Sequence, residues 1–249
     1  MAIFSQGAEF YDVFYGHKNH RAEVEHFLGL SGANRPEPIP KKVLELGMGT
    51  GRHAAVLESM GVTVHGVEMS ASMLDKIPVS DKIIRHLGDA RTIRLPEKFD
   101  SVFSFFHVAS YQTRDDDIHS FFATARAHLN RGGTFVFDCW YSPGVIALKP
   151  APRILTGNRD DLTITRKSTS REEVDKSLVF VLQEFVVQDS QGTVVAEFGE
   201  EHAMRHFSTS EIRHLARSTD FRLAVVVDPE SGGEPGRESW AATYCLEAI

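Results

Sequence analysis

Residues 43–54, VLELGMGTGRHA, constrain the fold of this 249-residue chain more than any other segment. A short apolar run reaches Glu45, and three glycines follow at alternate positions before a helical pattern begins: Gly47, Gly49 and Gly51. A strand, a tight glycine turn and a helix N-terminus together bring backbone N–H groups close to a ligand. A dinucleotide-binding loop has its third glycine five positions after the first, where this chain has Arg52. The spacing therefore disfavours a nicotinamide dinucleotide.

Apolar strand patterns alternate with helical patterns up to residue 141. The helices carry apolar residues at helical spacing, as in the run that starts at His53 and stops before Gly61. The predicted strands are Val43–Leu46, Val62–Val67, Ile83–Leu87, Phe99–Phe106 and Thr134–Cys139. Continuous apolar strands between amphipathic helices indicate a parallel sheet that is covered on both faces.

The pattern changes after Trp140. Ser142–Asp161 is rich in proline and glycine, which predicts a long loop. Alternating apolar residues over Thr163–Phe207 then predict an antiparallel insertion of about three strands. Ser208 and Glu211 form a capping box ahead of another helix. The last two predicted strands are Phe221–Val227 and Trp240–Leu246.

These segments predict a single α/β domain with a Rossmann-like, doubly wound sheet. The sheet is expected to be mostly parallel and seven-stranded, with the antiparallel β insertion after strand five. The expected parts are an N-terminal helical cap (1–40) that ends in a stiff connector (36–40), a core with the glycine loop (41–141), the insertion (162–207), and a final helix and strands (208–249).

The net charge of −7 gives the chain no basic surface for nucleic acid or an anionic membrane. No apolar run is long enough to span a bilayer, and Met1–Phe10 lacks the pattern of a signal peptide. Cys139 and Cys245 have no metal-ligand spacing, and the apolar strand around Cys139 favours a buried thiol over a reactive one. We therefore expect a cytoplasmic protein that binds a small molecule, and neither nucleic acid nor membrane.

Acidic residues follow the second and third predicted strands. Glu68 ends the second strand, 17 residues after Gly51, where a carboxylate in a Rossmann-like fold accepts hydrogen bonds from ribose hydroxyls. Asp89 follows the third strand, where it would meet an adenine amine. The alternative for Glu68 is a charge that caps the next helix. The order of the glycine loop, Glu68 and Asp89 predicts a ligand with ribose and adenine groups.

Three segments resemble motifs of class I S-adenosylmethionine (SAM)-dependent methyltransferases: VLELGMGTGRHA, VHGVEMSASML and LGDA. Five others resemble a small-molecule subgroup that includes N-methyltransferases of nucleotide-linked amino sugars: FYDVFYGHKNHRAEV, FHVASYQT, LNRGGTFVFDCWYSPG, HAMRHFSTSEI and SWAATY. That subgroup typically carries an antiparallel insertion between strand five and the last helix. The resemblance covers nearly the whole chain and implies SAM as the cofactor and a small biosynthetic metabolite as the methyl acceptor.

By position, the resemblance implies these cofactor-binding residues: Tyr11, His20, Gly47, Gly49, Gly51, Glu68, Met69, Asp89, Ala90 and Phe105. Tyr11 and His20 would approach the methionine carboxylate, although the subgroup often has a tyrosine at the place of His20. Glu68 would hold the ribose and Asp89 the adenine. Phe105 would pack near the adenine or the sulfonium.

Methyl transfer is an in-line displacement in which a protein mainly positions the donor and the acceptor. An amine nucleophile must also lose a proton, which a nearby base assists. His107 and Tyr111 follow strand four, at the sheet edge where ligands of α/β proteins bind, and are the predicted catalytic residues. The alternative for His107 is a packed core histidine. Subgroup enzymes can carry a histidine at the place of Tyr111, whose hydroxyl would orient the nucleophile in this chain.

The acceptor is expected to contact residues outside the cofactor motifs. Trp140 and Tyr141 follow strand five and would wall the acceptor, together with Tyr15. Arg166, in the insertion, would meet a phosphate or carboxylate group. The alternatives are that Tyr11 and Tyr15 attach the N-terminal helix to the core and that Arg166 is a solvated surface charge. The insertion is also a candidate homodimer surface.

Two absences narrow the reaction. Enzymes that methylate exocyclic amines of nucleic-acid bases commonly have an Asn/Asp-Pro-Pro-aromatic turn after strand four, where this chain has residues 104–107, SFFH. No set of histidines, cysteines and carboxylates has metal-ligand spacing, and the acidic run 115–117 fits a helix start better than a metal site. We expect N-methylation without a metal; the alternatives are O-methylation and a SAM-binding protein without transferase activity.

Overall fold

The computed structural model describes residues 7–32 and 39–249. Most of the connector predicted over residues 36–40 lies outside the described residues. Contacts divide the chain into a larger unit, Asn19–Leu148 with His206–Ile249, and a smaller unit, Lys149–Arg205 with the N-terminal segment up to Lys18.

Helices and strands alternate along the first half of the chain, and strands dominate the second half. The helices are α1 (Tyr11–Tyr15), α2 (His20–Gly32), α3 (Arg52–Ser59), α4 (Ala71–Leu74), α5 (Asp115–Ala127), α6 (Ser142–Leu148) and α7 (Thr209–Ser218). The strands are β1 (Lys42–Leu46), β2 (Thr63–Glu68), β3 (Ile83–Leu87), β4 (Phe99–Ser104), β5 (Leu129–Tyr141), β6 (Arg153–Arg159), β7 (Leu162–Glu173), β8 (Leu178–Gln188), β9 (Val194–Phe207), β10 (Phe221–Val227) and β11 (Ala241–Ala248).

The larger unit contains a mostly parallel sheet in the order β3-β2-β1-β4-β5. Leu44, in the middle of β1, pairs with His65 on one side and with Val102 on the other. β11 extends the sheet antiparallel to β5, and β10 pairs antiparallel with β11. These seven strands confirm the predicted Rossmann-like architecture, and the carboxyl ends of β1, β2, β4 and β5 lie at one edge of the sheet.

Helices cover both faces of this sheet because its strands are apolar on both sides. One core cluster joins residues of α5 and α7, such as Phe121 and Ile212, to Phe135 of β5. The other joins Phe27 of α2 and Leu57 of α3 to strand residues of the opposite face. The buried sheet fixes the positions from which the site residues project.

The smaller unit contains an antiparallel sheet in which β7 pairs with β6 and β8, and β8 pairs with β9. Phe14 lies in α1 and Phe10 directly precedes the helix. Both pack with Ile164, Phe185 and Val187 in a separate core cluster. The antiparallel insertion after strand five is therefore present, and it has a core of its own.

Three sequence predictions are wrong in detail. The loop predicted over 142–161 contains α6 and β6, and the insertion has four strands where about three were expected. Pro143 stands in the first turn of α6, where proline fits a helix, and β6 is almost wholly exposed, so it lacks an alternating pattern. Strand five begins at Leu129, five residues before the predicted start at Thr134, so residues 131–133, RGG, lie within the strand.

Among the described residues, no helix is long and apolar enough to cross a membrane.

Two glycines provide a stability test of this packing. A Cβ added at Gly144 of α6 would overlap the backbone carbonyl of Ser239, whereas a Cβ at Gly29 of α2 would meet nothing within 4 Å. We expect Gly144→Ala to lower the free energy of unfolding by about 1–3 kcal/mol through overpacking. Gly29→Ala is the matched control and should raise it by about 0.5–1 kcal/mol through helix propensity. Urea denaturation measures both, and equal effects would contradict the α6 packing.

Candidate active site

The glycine loop lies between the ends of β1 and β2. The N–H groups of Gly47 and Met48 donate to the carbonyl of Val67 over 2.9 and 3.0 Å. Gly47, Gly49 and Gly51 have φ values of 78°, 55° and 74°, in the left-handed region that favours glycine. A Cβ at Gly47 would lie 2.6 Å from the Val108 side chain, whereas a Cβ at Gly49 would meet nothing within 4 Å. The backbone at Gly49 is therefore open to the close approach of a ligand.

Glu68 connects this loop to the end of β2. Its Oε2 accepts a hydrogen bond from the Gly49 N–H at 3.0 Å, and its Oε1 accepts one from the Ser70 N–H at 2.9 Å. Ser70 itself caps α4 by accepting a hydrogen bond from the Met73 N–H. A carboxylate has about four acceptor positions, so Glu68 keeps acceptor capacity for further donors.

Asp89 is held in an ion pair at the turn after β3. Arg91 donates to both carboxylate oxygens of Asp89 and also donates to Asp117 at 2.9 Å. These contacts hold the pKa of Asp89 below its ordinary value, because the charge and hydrogen bonds of Arg91 favour the carboxylate. Of the neighbours predicted to contact the cofactor, Ala90 packs against the core and Met69 is 67% exposed.

Glu45, which the sequence did not predict as a site residue, is a buried carboxyl at the end of β1. It is 1% exposed, and neither carboxyl oxygen has a hydrogen-bond partner among the described residues. Burial, and then the negative charge of Glu68, raise the pKa of Glu45 well above its ordinary value. The signal available in the sequence was an acid inside a strand that is otherwise apolar.

Two histidines and a glutamate meet next to Glu45. His53 Nε2 lies 2.7 Å from Glu23 Oε2, and the rings of His53 and His20 have centroids 5.0 Å apart. One potential ligand atom from each of His20, Glu23 and His53 lies within 4.8 Å of the other two. The three side chains are therefore close enough together to bind one metal ion, which the sequence did not predict. His53 Nδ1 lies 4.0 Å from Glu45 Oε1.

Phe105 is 2% exposed. Its ring stacks on His53 with centroids 4.2 Å apart and on Phe27 with centroids 4.1 Å apart. A direct contact of Phe105 with adenine or sulfonium stays a prediction, and this packing favours an indirect role in which Phe105 supports His53.

The two predicted catalytic residues lie between β4 and α5. Tyr111 ends a short 3-10 helix, Val108–Tyr111, and His107 precedes it with a φ of 63°. His107 Nδ1 lies 2.7 Å from Oδ2 of Asp138, a β5 residue that the sequence did not predict as part of the site. The side chains of His107 and Asp138 are 23% and 13% exposed, so His107 is neither a fully packed core residue nor a surface residue.

Trp140 and Tyr141 end β5 on the same edge of the sheet. The Trp140 N–H donates to Ser110 Oγ at 3.0 Å, which connects β5 to the 3-10 helix. The Trp140 ring meets Trp240 edge-on with centroids 5.1 Å apart, while Tyr141 is 8% exposed. Tyr141 is therefore mainly a core residue, and Trp140 is the more accessible of the two.

The remaining predicted residues belong to the smaller unit. Arg166 is only 6% exposed, which excludes the alternative that it is a solvated charge on the surface. Its guanidinium donates to the Tyr15 hydroxyl at 2.9 Å and lies over the Phe14 ring at 4.6 Å, and its Nε has no hydrogen-bond partner among the described residues. Tyr11 lies beside Tyr15 with ring centroids 4.9 Å apart.

Comparison with known proteins identifies the class. The Methyltransferase domain family matches residues 43–133, which include the glycine loop, Glu68, Asp89 and His107. The predicted resemblance to SAM-dependent methyltransferases is confirmed, and the chain is a SAM-dependent methyltransferase.

The full-length relatives define the resemblance more narrowly. The chain is 28% identical over 234 residues to the dTDP-3-amino-3,4,6-trideoxy-alpha-D-glucopyranose N,N-dimethyltransferase of Streptomyces venezuelae, covering 92% of this chain and 94% of the relative. The crystal structure of Streptomyces venezuelae DesVI matches with a TM-score of 0.78 and 25% identity, covering 100% of both chains. SAM-bound CalS10 from Micromonospora echinaspora, an amino pentose methyltransferase, matches in fold with a TM-score of 0.75 at 21% identity, covering 100% of this chain and 99% of that chain.

The described residues fit SAM as the cofactor. Glu45 offers buried carboxyl oxygens without hydrogen-bond partners in the described chain, which suit an ammonium group. The backbone at Gly49 is open to close approach, and Glu68 has acceptor capacity for ribose hydroxyls. The site thus has hydrogen-bond acceptors that suit the ammonium group and the ribose hydroxyls of an amino-acid nucleoside.

The raised pKa of Glu45 predicts a pH-dependent cost to folding. A carboxyl whose pKa is higher in the folded chain stabilises that chain at low pH, and this contribution is lost as the pH rises through the folded pKa. Glu45→Gln keeps the neutral shape and cannot ionise. We expect this variant to gain stability over the wild type between about pH 4 and pH 8, by about 1.4 kcal/mol for each unit of pKa elevation.

Urea denaturation of the chain without cofactor at both pH values measures this difference. Glu25→Gln on the exposed surface of α2 is the matched control, and it should stay within about 0.5 kcal/mol of the wild type at both pH values. A stability difference for Glu45→Gln that does not grow with pH would contradict a neutral buried Glu45.

Proposed function

We propose that the chain transfers the methyl group of SAM to the nitrogen of a nucleotide-linked amino sugar. The observation that carries this substrate class is the similarity along 92% of the chain to a relative named as a dTDP-amino-sugar N,N-dimethyltransferase. Two further relatives named as dTDP-amino-sugar N,N-dimethyltransferases match 55% and 70% of the chain.

We assign the cofactor to the carboxyl edge of β1, β2 and β3. The backbone of Gly47, Gly49 and Gly51 would lie along the methionine portion, with His20 and Tyr11 at its carboxylate and Glu45 at its ammonium group. The nucleoside would contact Glu68 and Met69 at the ribose and Asp89 and Ala90 at the adenine. Phe105 would support the position of His53 by stacking on its ring.

Bound SAM supplies a methyl group on a cationic sulfonium, which is already a good leaving group, so the protein's main tasks are positioning and the exclusion of water. Tyr111 would orient the acceptor nitrogen through its hydroxyl. His107 would accept the proton that an amine must lose. Both residues follow β4, and Trp140 at the end of β5 would form a wall beside the acceptor.

Arg166 suits the anionic part of such an acceptor. A guanidinium forms charge-assisted hydrogen bonds with phosphate or carboxylate oxygens. Arg166 is buried, and its Nε has no hydrogen-bond partner among the described residues. Another nitrogen of its guanidinium group donates a hydrogen bond to the Tyr15 hydroxyl. We propose that Arg166 and Tyr15 bind the diphosphate of the acceptor.

The exposed apolar side chains of the insertion support a second role for it. Ile154 is 69% exposed, and Val194 and Val195 are 48% and 54% exposed. We propose that two copies of the chain associate through this surface, because such side chains are commonly covered in assemblies. The two buried cysteine thiols, Cys139 and Cys245, fit a reducing cytoplasm.

Methyl-transfer specificity is tested with matched acceptors. The purified chain is incubated with SAM carrying an isotope-labelled methyl group and with a dTDP-linked sugar in its amino and hydroxyl versions. We expect label in the amino version only, because a sugar hydroxyl is a weak nucleophile at neutral pH. Label in the hydroxyl version would contradict the nitrogen assignment, and label in neither would contradict this substrate class.

The ribose assignment is tested at Glu68. Glu68→Ala should raise the dissociation constant for SAM about tenfold or more, since a lost charge-assisted hydrogen bond is worth about 1.5–3 kcal/mol. Calorimetric titration measures the affinity, with Glu25→Ala as the control on the surface of α2. Unchanged SAM affinity in Glu68→Ala would refute the assignment.

A further inference from the structure

Both carboxylate oxygens of Asp138 contact His107. Oδ1 accepts a hydrogen bond from the His107 backbone N–H at 3.0 Å, and Oδ2 lies 2.7 Å from Nδ1 of the same histidine. The two residues are neighbours because β4 and β5 are parallel and adjacent, with Ser104 paired to Phe137. Asp138 therefore reaches the turn that follows β4 from the end of the next strand.

That turn has an unusual backbone. Phe106 and His107 have φ values of 61° and 63°, so two consecutive residues with side chains occupy the left-handed region. Each such residue costs on the order of 1 kcal/mol unless its surroundings hold it. The hydrogen bond that His107 donates to Asp138 holds this backbone, and a further one from the Ser110 N–H to the His107 carbonyl closes the turn at 2.9 Å. The backbone from which the imidazole projects is therefore fixed by hydrogen bonds.

We propose that Asp138 is a positioning residue for His107, and that it holds the proton of the neutral imidazole on Nδ1 so that Nε2 is the basic nitrogen. Oδ2 lies 2.7 Å from Nδ1 but off the direction of the Nδ1–H bond, so the proposed hydrogen bond requires the imidazole ring to reorient. The tautomer of a histidine is set by the hydrogen bond of its other nitrogen. This proposal rests on the amine methylation proposed above.

Protons and electrons balance in this step. The acceptor enters as an ammonium ion, and His107 Nε2 takes one proton, which leaves a neutral amine and an imidazolium beside the Asp138 carboxylate. The amine lone pair forms the N–C bond, and the C–S electron pair stays on sulfur as S-adenosylhomocysteine. The nitrogen ends as a methylated ammonium, and His107 returns its proton to solvent when the product leaves.

The charge of Asp138 also acts on a second histidine, His26 of α2. Burial lowers the pKa of His26, and the charge of Asp138 opposes that shift. His26 Nε2 is buried and has no hydrogen-bond partner among the described residues. The charge of Asp138 therefore acts on two histidines of intermediate exposure, and its carboxylate lies 2.7 Å from Nδ1 of one of them, His107.

The test is Asp138→Asn, which keeps the size of the side chain and removes its charge. We expect kcat for amine methylation to fall about 10- to 100-fold, because the imidazole loses its fixed tautomer and the stabilisation of its charged form. The dissociation constant for SAM should stay within about threefold of the wild type. Asp116→Asn, on the exposed face of the first turn of α5, is the matched control and should leave kcat unchanged.

NMR of histidine labelled with ¹⁵N supplies a readout that a structural role would not move. At about pH 8, where most histidines are neutral, the signal that disappears in His107→Gln identifies His107. The wild type should carry the proton on Nδ1, and Asp138→Asn should show a mixture of tautomers. A wild-type proton on Nε2, or an unchanged kcat in Asp138→Asn, would overturn the proposal.

The tautomer of His107 in the wild type is measured without the substrate and does not require Asp138→Asn to fold. A failure of amine methylation would contradict the proposed function, while the position of the proton on His107 would still decide the role of Asp138. If Asp138→Asn does not fold, the wild-type tautomer decides alone.

Discussion

The carboxylate of Glu68 holds together the parts of the site that different strands supply. It accepts one backbone hydrogen bond from the glycine loop after β1 and another from the start of α4 after β2. The loop needs such an anchor because its glycines carry left-handed φ values and have no side chains of their own to hold them. The carboxylate that we propose as the ribose acceptor therefore also holds the glycine loop.

In the proposed assignment, the carboxyl edge of the sheet has one half that binds the methyl donor and another half that binds the methyl acceptor. β1, β2 and β3 supply backbone N–H groups and carboxyls, which suit a nucleoside with an amino-acid tail. β4 and β5 supply His107, Tyr111, Asp138 and Trp140, which suit proton transfer and the enclosure of an acceptor. Parallel strands make this division possible, since all their carboxyl ends meet at one edge.

The sequence predicts most of the larger unit because its signals are local. Strand lengths, the glycine spacing and the capping box at Ser208 are each set within a few residues. β6 escapes prediction because an exposed edge strand has no apolar alternation, and α6 because its proline lies in the first turn. The predicted alternative of a solvated Arg166 fails because the residues that bury it, Phe14 and Tyr15, are about 150 positions away in the chain.

Residues of the proposed site whose neighbours are distant in the sequence are also absent from the sequence predictions. Asp138 contacts a residue 31 positions away, and that proximity follows only from the register of β4 and β5. Glu45 stands in the glycine segment, but its lack of partners among the described residues is a property of packing. The set of His20, Glu23 and His53 likewise needs α2 and α3 to be placed side by side.

Calorimetric titration of the purified wild-type chain with SAM, and separately with a nicotinamide dinucleotide, tests the central claim most directly. The glycine loop, Glu45 and Glu68 predict one SAM bound per chain and no heat from the dinucleotide. No binding of SAM, or saturable binding of the dinucleotide, would contradict the account.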